Sequence, residues 1–351
     1  MLSFIIVGSG YRSEYFARVA KTYPHLFRAL YLCRSQEKAR LVTEHTGIAA
    51  TTDEKDCVAF RPDFAVIAVD RGHMAQVAEE WAAKGFPVVT ETPVGATKEE
   101  LCRLWELGRN GAKIVCCEQY HRQPLLAKGL AEIAAGRIGS PASMYISLLH
   151  DYHAASLIRR ALNIPVGDPF VIRARELVSA VVETDSRPGA ILDGRRTEAH
   201  RVQAWIDFAS GKHVDHDFCP VQYRSYIRSR HLVVRGETGE WSDTVIHYLN
   251  QNNEPEQEFL LPEIPEKYRI LDTQALRDRR RNWQPDLAPD TVQDEYAIAT
   301  ILLDMEAYLQ GGASPYPLAE ALEDAYFWLC LKEAADHPFT PLASAGMPWH
   351  A

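Results

Sequence analysis

Hydrophobic positions in the first 120 residues alternate between two periods. Short apolar runs typical of buried strands occur at residues 3–8, 27–33, 63–69, 86–92 and 112–120. Between them, residues 13–23, 35–47, 73–85 and 97–111 carry apolar positions at the spacing of one helix face. Strands that alternate with single helices predict right-handed crossovers and a parallel sheet covered on both faces. The pattern therefore predicts a doubly wound α/β domain.

The pattern changes after residue 119. A helix is predicted over 124–136, and strand-like runs joined by turns follow at 143–149, 170–183, 200–208, 213–225, 230–236, 240–249 and 256–262. Runs joined by turns rather than helices favour a large, mostly antiparallel open sheet. Two amphipathic helices are predicted within 291–336. We therefore expect an α/β domain in residues 1–122 and an α+β domain in residues 123–351.

Composition narrows the class of protein. The 351 residues carry a formal net charge of −9, and the one dense basic run, "RDRRRNW" at 277–283, is short. This argues against a nucleic-acid surface. We see no run of the roughly 18–20 apolar residues that a membrane helix needs, and "MLSFIIVG" leads directly into a strand rather than a signal peptide. Seven cysteines without metal-type spacing suggest reduced packing residues, so we expect a cytoplasmic protein.

The segment "IIVGSGYRSEYFARVA" (5–20) predicts a strand, a glycine-rich turn and a helix. Gly8 allows a tight turn, and Gly10 lets the backbone approach a pyrophosphate at the helix N-terminus. Ser9, Tyr11 and Arg12 complete the turn, and Ser13 occupies the third fingerprint position. The turn is therefore interpreted as a dinucleotide-binding loop.

The end of the second strand bears on the choice of cofactor. An NAD site usually has an acidic residue there for the ribose 2′-hydroxyl, but this chain has Cys33, Arg34 and Ser35. An arginine can pair with a 2′-phosphate, and Ser35 can add a hydrogen bond or cap the next helix. The sequence favours NADP, and NAD stays open if Arg34 is only a solvated side chain.

Several motifs together resemble the Gfo/Idh/MocA oxidoreductases, the family of glucose–fructose oxidoreductase and inositol dehydrogenase. The resemblance rests on "VGSGYRSEYFARVA", "VDRGHMAQVAEEWAAKGFPVVTETPV", "EQYHRQP", "GRIGSP", "HAASLIRRALN" and "VVRGETGEW". It spans nearly the whole chain. It implies an N-terminal Rossmann domain, a C-terminal domain whose open sheet packs against a second copy in a homodimer or homotetramer, and a small-molecule substrate.

Two cofactor-side motifs depart from that family. Asp70 stands where the family has Asn, while His73 is retained near the expected ribose or nicotinamide. The family's Glu-Lys-Pro motif is Glu91-Thr92-Pro93 here. The resemblance gives Glu91 a backbone-shaping role beside the cofactor. Thr92 cannot replace the lysine in proton transfer, because a hydroxyl has no useful pKa near neutrality. We expect Thr92 to hydrogen-bond the carboxamide or the substrate.

The family's Asp-x-x-x-His pair is also altered. The helix pattern puts His153 in the histidine position, but Leu149 occupies the aspartate position. His153 suits proton transfer, and Asp151 could orient either His150 or His153. Tyr120 follows the last strand of the first domain and is an alternative proton donor, with Gln119 beside it on the cofactor side. Alternatively, the segment "HDYH" (150–153) merely caps the helix at 154–162.

Three functions stay open. The first is an NAD(P)-dependent oxidoreductase that transfers hydride to or from a small carbonyl or alcohol, sugar-like in type, or the imine of a thiazolinyl imine reductase. The second is a dinucleotide-binding sensor or co-repressor without turnover, which would tolerate Thr92. The third is a cofactor-assisted glycosidase. The cluster "HVDHDF" (213–218) is interpreted as an exposed strand, and no metal is expected.

Overall fold

The computed structural model describes residues 1–186, 189–271 and 291–350. The basic run at 277–283 lies outside the described residues.

The N-terminal half contains a six-stranded parallel sheet in the order β3-β2-β1-β4-β5-β6. All six residues of the central β1 are buried, which fits a sheet covered on both faces. The strands are β1 (Leu2–Val7), β2 (Phe27–Leu32), β3 (Ala50–Thr51), β4 (Phe64–Ile67), β5 (Val88–Thr90) and β6 (Ile114–Cys116). The predicted doubly wound parallel sheet is therefore confirmed.

Helices connect these strands as the hydrophobic pattern predicts, and several begin at a capping side chain. Ser35, Asp53 and Thr97 each accept a hydrogen bond from a backbone N–H in the first turn of the helix that follows. The helices are α1 (Ser13–Thr22), α2 (Gln36–Thr46), α3 (Glu54–Ala59), α4 (Met74–Ala83) and α5 (Lys98–Arg109). The short elements β3 and α3 were not predicted.

The second half is built on a nine-stranded sheet in the order β16-β15-β14-β13-β7-β12-β11-β8-β17. Every pair is antiparallel except β12 with β7, so the prediction of a mostly antiparallel sheet is confirmed. Its strands are β7 (Pro141–Ser147), β8 (Phe170–Val182), β11 (Arg196–Phe208), β12 (His213–Phe218), β13 (His231–Gly236), β14 (Gly239–Ser242), β15 (Val245–Leu249), β16 (Pro255–Phe259) and β17 (Leu342–Ala343), and a separate hairpin pairs β9 (Asp185–Ser186) with β10 (Gly189–Ala190).

Among the described residues, four helices accompany this sheet, and two of them bring the two parts of the chain together. They are α6 (Pro124–Ala134), α7 (Asp151–Ala161), α8 (Thr291–Leu309) and α9 (Leu318–Asp336). Helix α8 packs against α1, and α9 packs against both α5 and α7. Short 3₁₀ helices span Tyr120–Arg122, Pro220–Tyr223, Glu266–Leu271 and Pro348–His350.

The hydrophobic core runs through both halves as one cluster of buried residues. Gly129 lets helix α6 pack closely against the Trp241 ring of this core, because a Cβ at that position would lie 2.3 Å from the ring. All seven cysteines are free thiols, six of them buried. In the described residues, no helix is both long enough and apolar enough to cross a membrane.

Candidate active site

The glycine-rich turn after β1 lines an open groove with backbone atoms, because Gly8 and Gly10 have no side chains. Gly8 has φ +116°, and a Cβ there would lie 2.3 Å from the carbonyl oxygen of Ala68. A Cβ on Gly10 would meet nothing within 4 Å. The groove has a volume of about 760 Å³, and its lining includes Gly8, Ser9, Gly10, Tyr11 and Arg12. Gly8 is thus required by the fold, whereas Gly10 leaves space for a ligand.

The far end of the same groove is cationic. Arg34 and Lys38 both line it and both are exposed, and Cys33 stands where an acidic residue would face a ribose. The hydroxyl of Ser35 accepts the backbone N–H of Lys38 at 3.2 Å, so it caps α2. Lys38, which lies one helical turn beyond Arg34, was not among the predicted site residues.

Arg12 ties the glycine-rich turn to the strand end after β5. Its guanidinium donates to Oε1 of Glu91, with Nη2 at 2.8 Å and Nε at 3.1 Å. It also lies 3.6 Å from a carboxylate oxygen of Asp294 on α8. In the corrected amide orientation, Gln119 accepts from Arg12 at 3.1 Å. Although burial acts in the opposite direction, these carboxylates hold the pKa of Arg12 above its usual value.

Thr92 lies at the end of this network. Its backbone N–H donates to Oε2 of Glu91 at 3.1 Å, and its hydroxyl donates to the same oxygen at 3.4 Å. The Thr92–Pro93 peptide bond is cis. Thr92 therefore acts in this structure as a partner of Glu91.

Asp70 and His73 lie after β4, at the mouth of the groove. Nδ1 of His73 lies 2.8 Å from Oδ1 of Asp70, and both side chains are largely exposed. The hydrogen bond from His73 lowers the pKa of Asp70. Of the two, Asp70 lines the groove.

His153 is paired with an acidic residue that the sequence analysis did not select. Its Nδ1 lies 2.5 Å from Oε2 of Glu118, and both residues are buried. Glu118 follows β6, and its Oε1 accepts the backbone N–H of Tyr120 at 3.1 Å. Burial raises the pKa of Glu118 to about 8 and lowers the pKa of His153 to about 3. The pair combines an acid and a base in one buried position.

Aromatic residues surround this pair. The ring of Tyr120 meets the His153 ring edge-on at 4.5 Å between centroids. The hydroxyl of Tyr223 lies 2.6 Å from Nδ1 of His150. Burial lowers the pKa of His150 well below its usual value and raises that of Tyr120. The predicted residues His153, Tyr120 and His150 are thus brought together.

Asp151 has different surroundings from those of His150 and His153. It is the first residue of α7, has φ +47°, and lies near Arg71 and Trp328, which both favour its charged form. The guanidinium of Arg71 lies 5.2 Å from the Trp328 ring. Burial raises the pKa of Asp151. Within the described residues, the carboxylate that contacts His153 is that of Glu118, not that of Asp151.

The His213 segment forms β12, and its side chains pair with nearby carboxylates. His213 lies 2.8 Å from Asp207 and 3.3 Å from Asp215, on partly exposed positions, while His216 is buried on the other face. A search of the described part of the chain finds no group of three or more histidine, cysteine or acidic residues placed to hold a metal ion.

The groove and its surroundings fit a nicotinamide dinucleotide. Gly10 leaves room for a pyrophosphate beside the first turn of α1. Arg34 and Lys38 supply positive charge at the ribose end. The fold and the site define a Rossmann-type dinucleotide-binding protein whose second domain contributes α7 to the neighbourhood of the cofactor groove.

Sequence comparison identifies the family of the first domain. Residues 2–119 match the family described as "Oxidoreductase family, NAD-binding Rossmann fold", the Gfo/Idh/MocA family. The first domain is therefore similar to the Gfo/Idh/MocA oxidoreductases, in agreement with the motifs. No curated protein sequence matches the chain.

Solved structures of similar fold extend over both domains. A levoglucosan dehydrogenase in complex with NADH and levoglucosan has a TM-score of 0.72 at 16% identity, covering 98% of this chain and 100% of that one. An oxidoreductase from Agrobacterium radiobacter in complex with NAD⁺, L-tartaric acid and magnesium has a TM-score of 0.70 at 14% identity, covering 97% and 98%. An NAD binding oxidoreductase from Klebsiella pneumoniae has a TM-score of 0.69 at 14% identity, covering 98% and 99%. At these identities the likeness shows the shared fold.

Proposed function

We propose that the protein is an NAD(P)-dependent oxidoreductase that acts on a small, sugar-like carbonyl compound or alcohol. The observation that carries this proposal is the buried Glu118–His153 pair, which lies 2.5 Å apart close to the cofactor groove. Arg12 of the groove and Glu91 beside it both act electrostatically on His153, so the acid–base pair and the cofactor loop belong to one site. A protein that only bound a dinucleotide would have no need of such a pair.

The cofactor, when bound, supplies or accepts a hydride at C4 of its nicotinamide. The backbone at Gly8–Arg12 would hold the pyrophosphate, and Asp70 with His73 would lie at the ribose. Glu91 fixes Arg12 against the strand end, which keeps the turn in one position. The protein thereby orients the reacting groups, which is a large part of catalysis in cofactor enzymes.

NADP is the cofactor that we propose, with NAD as the alternative. Arg34 and Lys38 place two cations at the end of the groove where Cys33 replaces the acidic residue of an NAD site. A 2′-phosphate can accept hydrogen bonds from both. The Glu54 carboxylate also lines the groove. A preference for NADP therefore requires that the attraction of Arg34 and Lys38 for a 2′-phosphate exceed the repulsion from Glu54.

The proton needed at the substrate oxygen must come from a side chain other than Thr92, whose hydroxyl already donates to Glu91. His153 and Tyr120 lie in contact and are the two candidates. A sugar-like substrate is supported by the fold shared with a levoglucosan dehydrogenase. An imine is a second candidate substrate, but it is easily protonated and needs less assistance from an acidic side chain. The buried Glu118–His153 pair therefore favours a carbonyl or alcohol.

We also propose the division into domains at residues 1–122 and 123–351, and self-association through the open sheet. The 3₁₀ turn Tyr120–Arg122 separates the two sheets along the chain. Leu177 on β8 and Trp205 on β11 are exposed large hydrophobic residues on the same face, as expected of a sheet that meets a second copy. A cytoplasmic location is proposed from the seven free thiols.

The test uses purified protein, NADPH or NADH, and a panel of sugars, polyols, simple carbonyls and cyclic imines. We expect the protein to bind NADPH and to oxidise it with at least one carbonyl of the panel. Binding without any turnover on the whole panel would favour the sensor. A cofactor that stays bound through purification, together with glycoside cleavage and no net change in NADPH, would favour the cofactor-assisted glycosidase.

A further inference from the structure

We propose that Glu118 is the positioning partner of His153, and that the two side chains together store one proton and pass it through Nε2 of His153 to the substrate oxygen. This inference rests on the proposed oxidoreductase function. Glu118 lies outside the Asp-x-x-x-His pair that the resemblance implied. With His153, it would take over the proton transfer of the family's lysine and aspartate, whose positions hold Thr92 and Leu149 in this chain.

The carboxyl group of Glu118 is held in one orientation. Its Oε1 accepts the backbone N–H of Tyr120 at 3.1 Å, while its Oε2 lies 2.5 Å from Nδ1 of His153. Glu118 is 2% exposed and His153 is 5% exposed, so water competes little for this contact. A charged or shared-proton hydrogen bond in such surroundings is stronger than one at the surface.

The imidazole ring is fixed by aromatic neighbours. Tyr120, Tyr152 and His150 contact it edge-on, at centroid distances of 4.5, 4.6 and 4.9 Å. With Nδ1 committed to Glu118, the remaining ring nitrogen is Nε2. The described hydrogen bond of the His153 side chain runs through Nδ1, so the proposal places the substrate oxygen at Nε2.

Charged groups from several elements act on the pair. Arg12 comes from the glycine-rich turn, Glu91 from the end of β5 and Arg160 from α7. The nearest titratable rings are those of Tyr120, Tyr152 and His150. Because the pKa of Glu118 is raised to about 8 and that of His153 is lowered to about 3, the pair as a unit keeps one proton at neutral pH.

The step balances in protons and charge. In reduction, the carbonyl carbon accepts a hydride from the reduced nicotinamide while its oxygen takes the proton from Nε2 of His153. The proton shared with Glu118 passes fully to Nδ1, so the ring ends neutral with its hydrogen on Nδ1, and Glu118 ends as a carboxylate. In oxidation, the substrate hydroxyl proton moves to Nε2, and the Nδ1 proton returns to the position shared with Glu118.

The sign of the pH dependence follows from this step. Reduction needs the pair with its extra proton, which is lost as pH rises through about 8, so turnover should fall above that pH. Oxidation needs the pair without that proton and should rise over the same range. Tyr120 is less suited to the same task, since burial raises the pKa of its hydroxyl well above the usual value.

The test is a titration of His153 by NMR in the full-length protein with ¹⁵N-labelled histidine. The chain has 13 histidines, and His153→Asn assigns the signal of interest. In the wild-type protein we expect the His153 ring signals to change with a midpoint near pH 8, and we expect Glu118→Gln to abolish that transition. Glu132→Gln is the matched control, because Glu132 is also buried but pairs with Lys128 and Arg137.

Two results would overturn the proposal. One is a wild-type His153 that titrates like an ordinary imidazole near pH 6.5; this result needs no variant and does not depend on the folding of Glu118→Gln. The other is a Glu118→Gln variant, folded by circular dichroism, whose His153 signals titrate as in the wild type. Because the titration needs no substrate, its result does not depend on whether the proposed function is correct.

A kinetic arm follows once a substrate is known. Glu118→Gln should lower kcat by about 100-fold, in the range of general acid–base effects, and leave KM for NADPH within about twofold. It should also remove the fall in reduction above pH 8. Glu118→Asp, which keeps the carboxyl group, should recover part of the rate. A loss of NADPH binding equal to the loss of rate would show a structural role for Glu118 and contradict the proposal.

Discussion

The carboxylate of Glu91 lies 2.8 Å from the guanidinium of Arg12, and this contact joins the glycine-rich turn after β1 to the strand end after β5. Glu91 is buried, so it depends on this partner for its charge. Under the proposed function the two segments would lie beside the nicotinamide, and the ion pair sets their spacing.

Replacing Glu91 with Gln should destabilise the protein. The variant keeps the shape of the side chain but loses the charge-assisted hydrogen bonds from Arg12, which are worth about 1.5–3 kcal/mol in partly buried positions. Urea unfolding measures the change in the free energy of unfolding. Glu44→Gln is the control, since Glu44 pairs with Arg40 on an exposed helix face and such pairs contribute little. Equal effects of both variants would contradict a structural role for the Arg12–Glu91 pair.

Two glycines of the same turn should respond differently to alanine. Gly10→Ala places a methyl group where no protein atom lies within 4 Å, so the fold should persist while affinity for the dinucleotide falls at least about tenfold. Gly8→Ala would bring Cβ 2.3 Å from a backbone oxygen at φ +116°, so it should lower the stability itself. Thermal melts and NADPH titrations separate the two effects. Unchanged NADPH binding by Gly10→Ala would argue against the loop as the pyrophosphate site.

Cofactor preference should depend on Arg34. Arg34→Ala removes a cation from the ribose end of the groove and should weaken NADPH binding by about 10- to 100-fold while NADH binding changes little. Calorimetry with both cofactors measures the ratio. Arg40→Ala is the control, since Arg40 lies on α2 and pairs with Glu44. If NADPH and NADH weaken equally, or neither does, the NADP assignment is wrong.

Acid should destabilise the protein through His216. Burial lowers the pKa of His216 to about 4, whereas an unfolded histidine has a pKa near 6.5, so protons bind the unfolded chain more readily between those values. Above pH 6.5 the neutral, buried His216 makes its full contribution to the free energy of unfolding. This contribution is lost as pH falls toward 4, and the total loss is on the order of 3 kcal/mol. Urea midpoints from pH 7 to 4 should fall less steeply in His216→Leu. The exposed His200→Gln should retain the wild-type slope; a similar change in both variants would exclude His216 as the cause.

The fold was largely predictable because its signals are local. The turn "VGSGYRS" lies within seven consecutive residues, and the strand and helix periods around it are unbroken. The elements that were missed are short: β3 has two residues and α3 has six, too few to show a period. The antiparallel sheet was predicted from turns between apolar runs, but no local pattern specifies that β12 pairs with β7 in parallel.

The candidate site was predictable only in part, because its key contact is not local. His153 was found by its position in a helix motif, but its carboxylate partner lies 35 residues earlier. Asp151 was the nearer choice along the chain, yet as the first residue of α7, at φ +47°, it lies near Arg71 and Trp328. The available signal for Glu118 was an acidic residue directly after a buried strand, at the sheet edge where ligands bind.

Transfer of hydride between a nicotinamide and a substrate carbon is the core of the proposed function. It is tested by reduction with NADPH deuterated at C4, on one face of the ring and then on the other, with mass spectrometry of the product from any substrate that supports turnover. We expect deuterium on the product carbon from one face only, and loss of turnover in His153→Asn with NADPH still bound. Bound NADPH with no deuterium transferred to any member of the panel from either face would contradict it.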